Sequence, residues 1–258
     1  MESNALTRKN ESLIRSLYTR HGRRKARCCV CEGVRAANEL LGSRPELVRF
    51  AVATEAGRKL CSGIASHECF IVGAEKMREL SGTVNSQGVL IVAEIPAESN
   101  KDETPVGSFL LALDQLGDPG NFGTICRTLR AVGLSELWYT KGSIDPYGDK
   151  AIRSALGAQF SLKLRGFDTL KDLQISALQF GYSTVYLTDP HGGESCFTAL
   201  GLYDRSVIVI GGEANGVTPL DGAKNVTIPM PGNYESLNAA QAATIFLFEY
   251  VRRSGLRG

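Results

Sequence analysis

Short apolar runs bounded by turn residues alternate with longer helical stretches along this chain, and few architectures other than α/β with parallel strands accommodate that pattern. The runs fall into two blocks. In the first, residues 27–31, 47–53, 69–72 and 89–93 read as strands, with helices near 11–20 and 32–41. In the second, strands are expected at 108–114, 136–139, 183–187, 207–210 and 226–228, with a helix over 122–132. A last helix is expected over 237–253, where Ala, Ile, Phe and Leu recur at helical spacing. Between the blocks the composition turns to Pro, Glu, Ser, Asn, Lys and Asp, which bury little surface. The chain therefore divides into residues 1–94, a linker over 95–106, and residues 107–258.

The totals exclude several classes. With 258 residues and 43% hydrophobic content the chain can bury a sizeable core. It contains no run of the roughly 18 apolar residues that a membrane span needs, and its first twenty residues are polar, so a cytoplasmic location is expected. Seven cysteines are an odd count without regular spacing, which favours reduced thiols over a disulfide framework. Cys28, Cys29 and Cys31 sit in an apolar run and read as buried strand positions, so no metal is implied.

Charge is concentrated at one end. Residues 1–35 carry nine Lys and Arg against three Glu, in a chain whose net charge is only +2. Arg20, Arg23, Arg24, Lys25 and Arg27 form a cluster suited to phosphate contacts, where each pairing releases condensed counterions. A solvated helix face explains the same cluster.

Three glycine- and asparagine-bearing segments each follow an expected strand, and open α/β sheets bind ligands at the carboxyl ends of their strands. The first is Asp118-Pro119-Gly120-Asn121-Phe122-Gly123-Thr124-Ile125-Cys126-Arg127. The second runs from Val207 through Gly211-Gly212-Glu213-Ala214-Asn215-Gly216, where paired glycines permit a close backbone approach to a ligand. The third is Ile228-Pro229-Met230-Pro231-Gly232-Asn233-Tyr234-Glu235-Ser236-Leu237-Asn238. Helix N-capping accounts for Asn121 or Ser236 as readily as a functional role does.

Together and in this order, the segments resemble the three motifs of the SpoU/TrmH branch of the SPOUT methyltransferases, over residues 110–253. Asn-x-Gly-x-x-x-Arg falls on Asn121, Gly123 and Arg127, and Gly-x-Glu-x-x-Gly on Gly211, Glu213 and Gly216. Ile-Pro-Met-x-Gly…Ser-Leu-Asn falls on residues 228–238. A fourth stretch, 145–160, with Lys150, Arg153, Ser154, Gly157 and Ala158, resembles the family's segment between the first two motifs. Ala214-Asn215 and Ala239-Ala240 depart mildly from the family pattern. More loosely, the first block resembles the L30e-like substrate-binding domain of ribosomal RNA members.

The resemblance implies an α/β fold in which a C-terminal parallel-sheet SPOUT domain with a trefoil knot follows a smaller N-terminal L30e-like domain. It implies S-adenosylmethionine as cofactor, held by Leu187, Thr188, Gly211, Gly212, Gly216, Ile228, Met230 and Leu237. It also implies a homodimer, with the last helix as the expected dimer surface. The reaction implied is methylation of a ribose 2′-hydroxyl, most readily of 23S ribosomal RNA, with Arg127, Asn121, Glu213, Ser236 and Asn238 as the active residues. Arg127 would stabilise the developing alkoxide or clamp a phosphate, and Glu213 is able to hold a guanidinium bidentately. Arg153 is a candidate RNA contact. His191 is expected to be a loop residue outside the site, and Trp138 a core residue. Transfer RNA as substrate and a non-catalytic RNA-binding assembly factor are the competing readings. A dinucleotide-binding enzyme would need a Gly-x-Gly-x-x-Gly turn, which is missing.

Overall fold

The computed structural model describes residues 5–97, 103–213, 215–232 and 234–255; positions 98–102 of the expected linker lie outside them. The chain forms two compact units. One comprises residues up to Ala97 together with Asp145–Ser161, and the other comprises Glu98–Ile144 and Leu162 onward.

The first unit is built on four strands, β1 (Cys28–Glu32), β2 (Val48–Ala53), β3 (Cys69–Ile71) and β4 (Val89–Glu94), in the order β1-β4-β2-β3. Only β2 and β3 are parallel; β4 runs antiparallel to both β1 and β2. The expectation of parallel strands thus fails in this block, because apolar runs mark strands without marking their direction. Both faces are covered, which explains why β1 reads as an unbroken apolar run. Cys28 and Val30 pack with Ile14, Leu17, Met77 and Leu80 on one face. Cys29 and Cys31 pack with Ala36, Leu40 and Ile64 on the other, joined by Ile152 and Phe160 from the Asp145–Ser161 segment. Burial raises the thiol pKa of both Cys29 and Cys31.

The second unit carries a seven-stranded sheet whose neighbours are all parallel. Its strands are β5 (Phe109–Asp114), β6 (Glu136–Thr140), β7 (Lys163–Phe167), β8 (Thr184–Thr188), β9 (Glu194–Ser195), β10 (Ser206–Gly211) and β11 (Lys224–Thr227), in the order β7-β6-β5-β10-β8-β11-β9. Expected strands appear within a few residues of their places, but β7 and β9 were not anticipated. In β7, a core position is filled by Arg165, which is 1% exposed, pairs with the buried carboxylate of Glu136 at 2.6 Å and lies over the Trp138 ring. A buried cation inside a strand erases the apolar signature. Trp138 is a core residue, its indole N–H donating to Glu136.

Helix starts also differ from expectation. The first helix of the second unit spans Pro119–Ala131 and is capped by Asp118, whose side chain accepts from the Asn121 N–H at 2.7 Å, with Pro119 at the first position. The last helix spans Ala239–Ser254 and is capped by Asn238, not Ser236. Asn121 and Ser236 are therefore released from capping.

Candidate active site

Loops from the carboxyl ends of β5, β10 and β11 bring the three motifs together. The Asn121 side-chain amide donates to a Glu213 carboxylate oxygen, joining residues 92 positions apart. Asn238 donates its own amide to Asn121 Oδ1 at 2.9 Å. Its Oδ1 accepts from the N–H groups of Ala240 and Gln241, at 2.9 and 3.3 Å. The direction of this chain is set at both ends. An ionised carboxylate only accepts, so Asn121 must turn its nitrogen toward Glu213 and its oxygen toward Asn238. The free N–H groups at a helix start only donate, so Asn238 must turn its oxygen to them. Asn121 is 8% exposed, and that burial suits a residue whose partners are fixed.

Arg127 lies two turns along the same helix and is exposed; its Nη2 donates to Thr124 Oγ1 at 3.3 Å. Glu213 is bonded to Asn121 instead of holding this guanidinium. Thr124, which sequence reasoning did not single out, lines an open groove with Asn121, Asn238 and Gln241, so Arg127 is held beside that groove through it.

A cavity of about 890 Å³ opens beside these residues. Leu187, Thr188, Gly211, Gly212, Gly216, Ile228, Met230 and Leu237 all line it, as do Glu213, Ser236 and Asn238. Its lining combines aliphatic side chains with the polar side chains of Thr188, Asp189, Asn215, Glu235 and Ser236. A ligand that carries both apolar and hydrogen-bonding groups suits such a lining. His191, expected outside the site, also lines the cavity, its loop held by the Asp189 carboxylate accepting from the His191 backbone N–H.

The glycines have a different reason from the one anticipated. A Cβ on Gly211 would lie 2.2 Å from the Gly216 carbonyl carbon, and one on Gly212 would lie 2.4 Å from the Gln115 oxygen. Gly216 adopts φ 65° and donates its N–H to the Gly212 oxygen at 3.0 Å. Backbone approaches backbone here, closing a tight turn that projects Glu213.

Among the expected RNA contacts, Arg20, Arg24, Lys25 and Arg27 are exposed on or just after the Arg20–Ala26 helix. Arg23 is buried, giving Nε and Nη2 to Asp145 Oδ2 at 3.1 and 2.7 Å and Nη1 to the Leu17 oxygen. It is a structural cation and not a surface contact. Arg153 pairs with Asp149 at 2.8 Å and lies 3.8 Å from Glu32, so its charge is already matched. Among the described residues no group of His, Cys, Asp or Glu is arranged to hold a metal ion.

Two family models match the chain. Residues 12–91 match the MRM3-like substrate binding domain. The Bacillus subtilis 23S rRNA (guanosine(2553)-2'-O)-methyltransferase RlmP is 26% identical over 239 residues, covering 91% of this chain and 92% of that protein. The SpoU methyltransferase AviRb from Streptomyces viridochromogenes, solved in complex with AdoMet, superposes with a TM-score of 0.81 at 27% identity, covering 96% of this chain and 98% of that one. An rRNA methyltransferase from Sinorhizobium meliloti superposes with a TM-score of 0.78 at 25% identity, covering 96% of each chain. Residues 108–248, which hold the cavity and the carboxylate–amide chain beside it, match the SpoU rRNA Methylase family throughout, and the protein belongs to that family.

Proposed function

We propose that this protein transfers a methyl group from S-adenosylmethionine to a ribose 2′-hydroxyl of RNA, and that its substrate is 23S ribosomal RNA. The observation that carries the reading is the hydrogen-bonded chain Glu213–Asn121–Asn238 at the edge of the cavity, which unites the three motifs. The cavity fits the cofactor in size and in a lining that is both aliphatic and polar. Leu187, Ile228, Met230 and Leu237, with the backbone of Gly211, Gly212 and Gly216, would hold it. When bound, S-adenosylmethionine supplies an electrophilic methyl carbon on a positively charged sulfur.

The remaining tasks fall to the chain's own side chains. Methyl transfer would form the oxygen–carbon bond as the carbon–sulfur bond breaks to leave a neutral thioether, with the hydroxyl proton passing to solvent; the negative charge that develops on the oxygen as that proton departs is what needs stabilising. A guanidinium has five donors and no acceptor, so Arg127 stabilises the oxygen, or an adjacent phosphate, and does not take the proton. Glu213, Asn121 and Asn238 hold the loops in register, and Ser236 faces the cavity from the third motif. We place the protein in the cytoplasm as a homodimer, with the knotted C-terminal domain that family resemblance implies. No described helix is long and apolar enough to cross a membrane.

The direct test is transfer of tritiated methyl from S-adenosylmethionine to ribosomal RNA, transfer RNA and ribosomal subunits, followed by nucleoside analysis. Label in a 2′-O-methylated nucleoside of ribosomal RNA, naked or in the particle, is expected. Label confined to transfer RNA would replace the substrate, and cofactor binding without transfer to any of the three would favour a non-catalytic role.

The exposed cations make a second expectation quantitative. Replacing Arg20, Arg24, Lys25 and Arg27 by glutamine should reduce the slope of log affinity against log salt by about 3 for single-stranded RNA, at roughly 0.7 per phosphate contact. An unchanged slope would remove this helix from the RNA path.

A further inference from the structure

Asp114, the last residue of β5, is 2% exposed, and its carboxylate touches two other segments. Oδ1 accepts from the Thr140 hydroxyl at 2.6 Å, at the end of β6. Oδ2 accepts from the Thr218 backbone N–H at 2.8 Å, in the loop that follows β10. Its backbone oxygen takes the Gly212 N–H at 3.0 Å. The next residue, Gln115, is a non-glycine at φ 53°, a conformation that side chains rarely adopt without compensation. The compensation is visible: the Gln115 N–H donates to Thr140 Oγ1 at 3.2 Å, and its side-chain amide donates to Thr218 Oγ1 at 3.0 Å.

Thr218 lies between Val217 and Pro219, both of which line the cavity. The loop from Gly211 to Pro219 is thus fixed at three points: at Gly212 by the Asp114 backbone oxygen, at Glu213 by Asn121, and at Thr218 by the side chains of Asp114 and Gln115. From this we infer that Asp114 is a positioning residue for cofactor binding: it latches the Gly211–Pro219 loop to the end of β5 and so sets the shape of the cavity wall. This rests on the reading of the cavity as the S-adenosylmethionine site. The role belongs to the acceptor that holds the Thr218 N–H, together with a hydrogen-bonding partner for the Thr140 hydroxyl, and not to the charge. An asparagine in its place can accept from the Thr218 N–H and donate to Thr140 Oγ1, whereas an alanine can do neither.

The test uses the full chain without RNA, probing with S-adenosylmethionine by calorimetry and with amide hydrogen exchange of the unliganded protein over residues 211–220. In Asp114→Ala, binding is expected to weaken at least tenfold and loop exchange to accelerate, and in turnover the KM for S-adenosylmethionine is expected to rise more than kcat falls. Asp114→Asn is expected to restore both binding and exchange to within about threefold of the parent. Unchanged affinity and exchange in folded Asp114→Ala would overturn the latch, as would an Asp114→Asn no better than alanine. Should the alanine variant fail to fold, Thr140→Val decides, since it keeps the shape while removing one partner: faster loop exchange supports the latch and parental exchange overturns it. If the parent protein binds no S-adenosylmethionine, the functional reading fails while exchange still reports on the latch.

Discussion

Replacing Arg127 with alanine is expected to lower methyl transfer by a factor on the order of 10²–10³, the usual loss when one donor to a developing oxyanion is removed. Cofactor binding should be preserved, because Arg127 does not line the cavity. Stability should change by no more than about 0.5 kcal/mol, as expected for an exposed residue whose hydrogen bond is to Thr124 on its own helix. Single-turnover transfer to the methylated RNA, alongside calorimetric titration of the cofactor, separates these effects. A variant that loses cofactor binding would show that Arg127 serves the cavity wall, and the assignment of its guanidinium to the ribose oxygen would fall.

The second large effect concerns the N-terminal unit. Residues 1–97 expressed alone should show no cooperative unfolding transition, although residues 12–91 match a named domain. The compact unit also includes Asp145–Ser161, which contributes Ile152 and Phe160 to its core and Asp145 to the buried Arg23. Losing large apolar side chains of this kind costs about 2–5 kcal/mol each, and stranding a buried charge costs about 3–5 kcal/mol. Set against a typical stability of 5–15 kcal/mol, that is most of what a domain has. Circular dichroism and urea titration of the fragment provide the check; a sharp transition near that of the full chain would mean the segment is dispensable.

Strands β5, β8 and β10 were legible because both faces of a parallel sheet are covered, so each strand is an apolar run ending at a turn. The eight residues that the family resemblance marks as cofactor contacts all line the cavity, because the resemblance fixes positions along the chain. Arg23 was misread because its partner is 122 residues away, and a cluster of cations looks the same whether one of them is buried or not. Strand β7 was missed because Arg165 and Gly166 occupy its middle. Asp114 and Thr218, 104 residues apart, carry no local signal, since a carboxylate at the end of a strand is ordinary until the loop it holds is seen.

The carboxylate–amide chain has a consequence for how this protein can change. Each member's hydrogen-bonding polarity is dictated by the next, from the first amides of the last helix to Glu213. Asn121→Asp would set two carboxylates against each other, and Asn238→Asp would face an oxygen with an oxygen, although each swap preserves shape almost perfectly. Glu213→Gln alone keeps an acceptor for its neighbour. Substitution at these three positions is therefore coupled: once Glu213→Gln supplies an amide that can turn its nitrogen inward, either asparagine can become aspartate, but changing both would again face an oxygen with an oxygen.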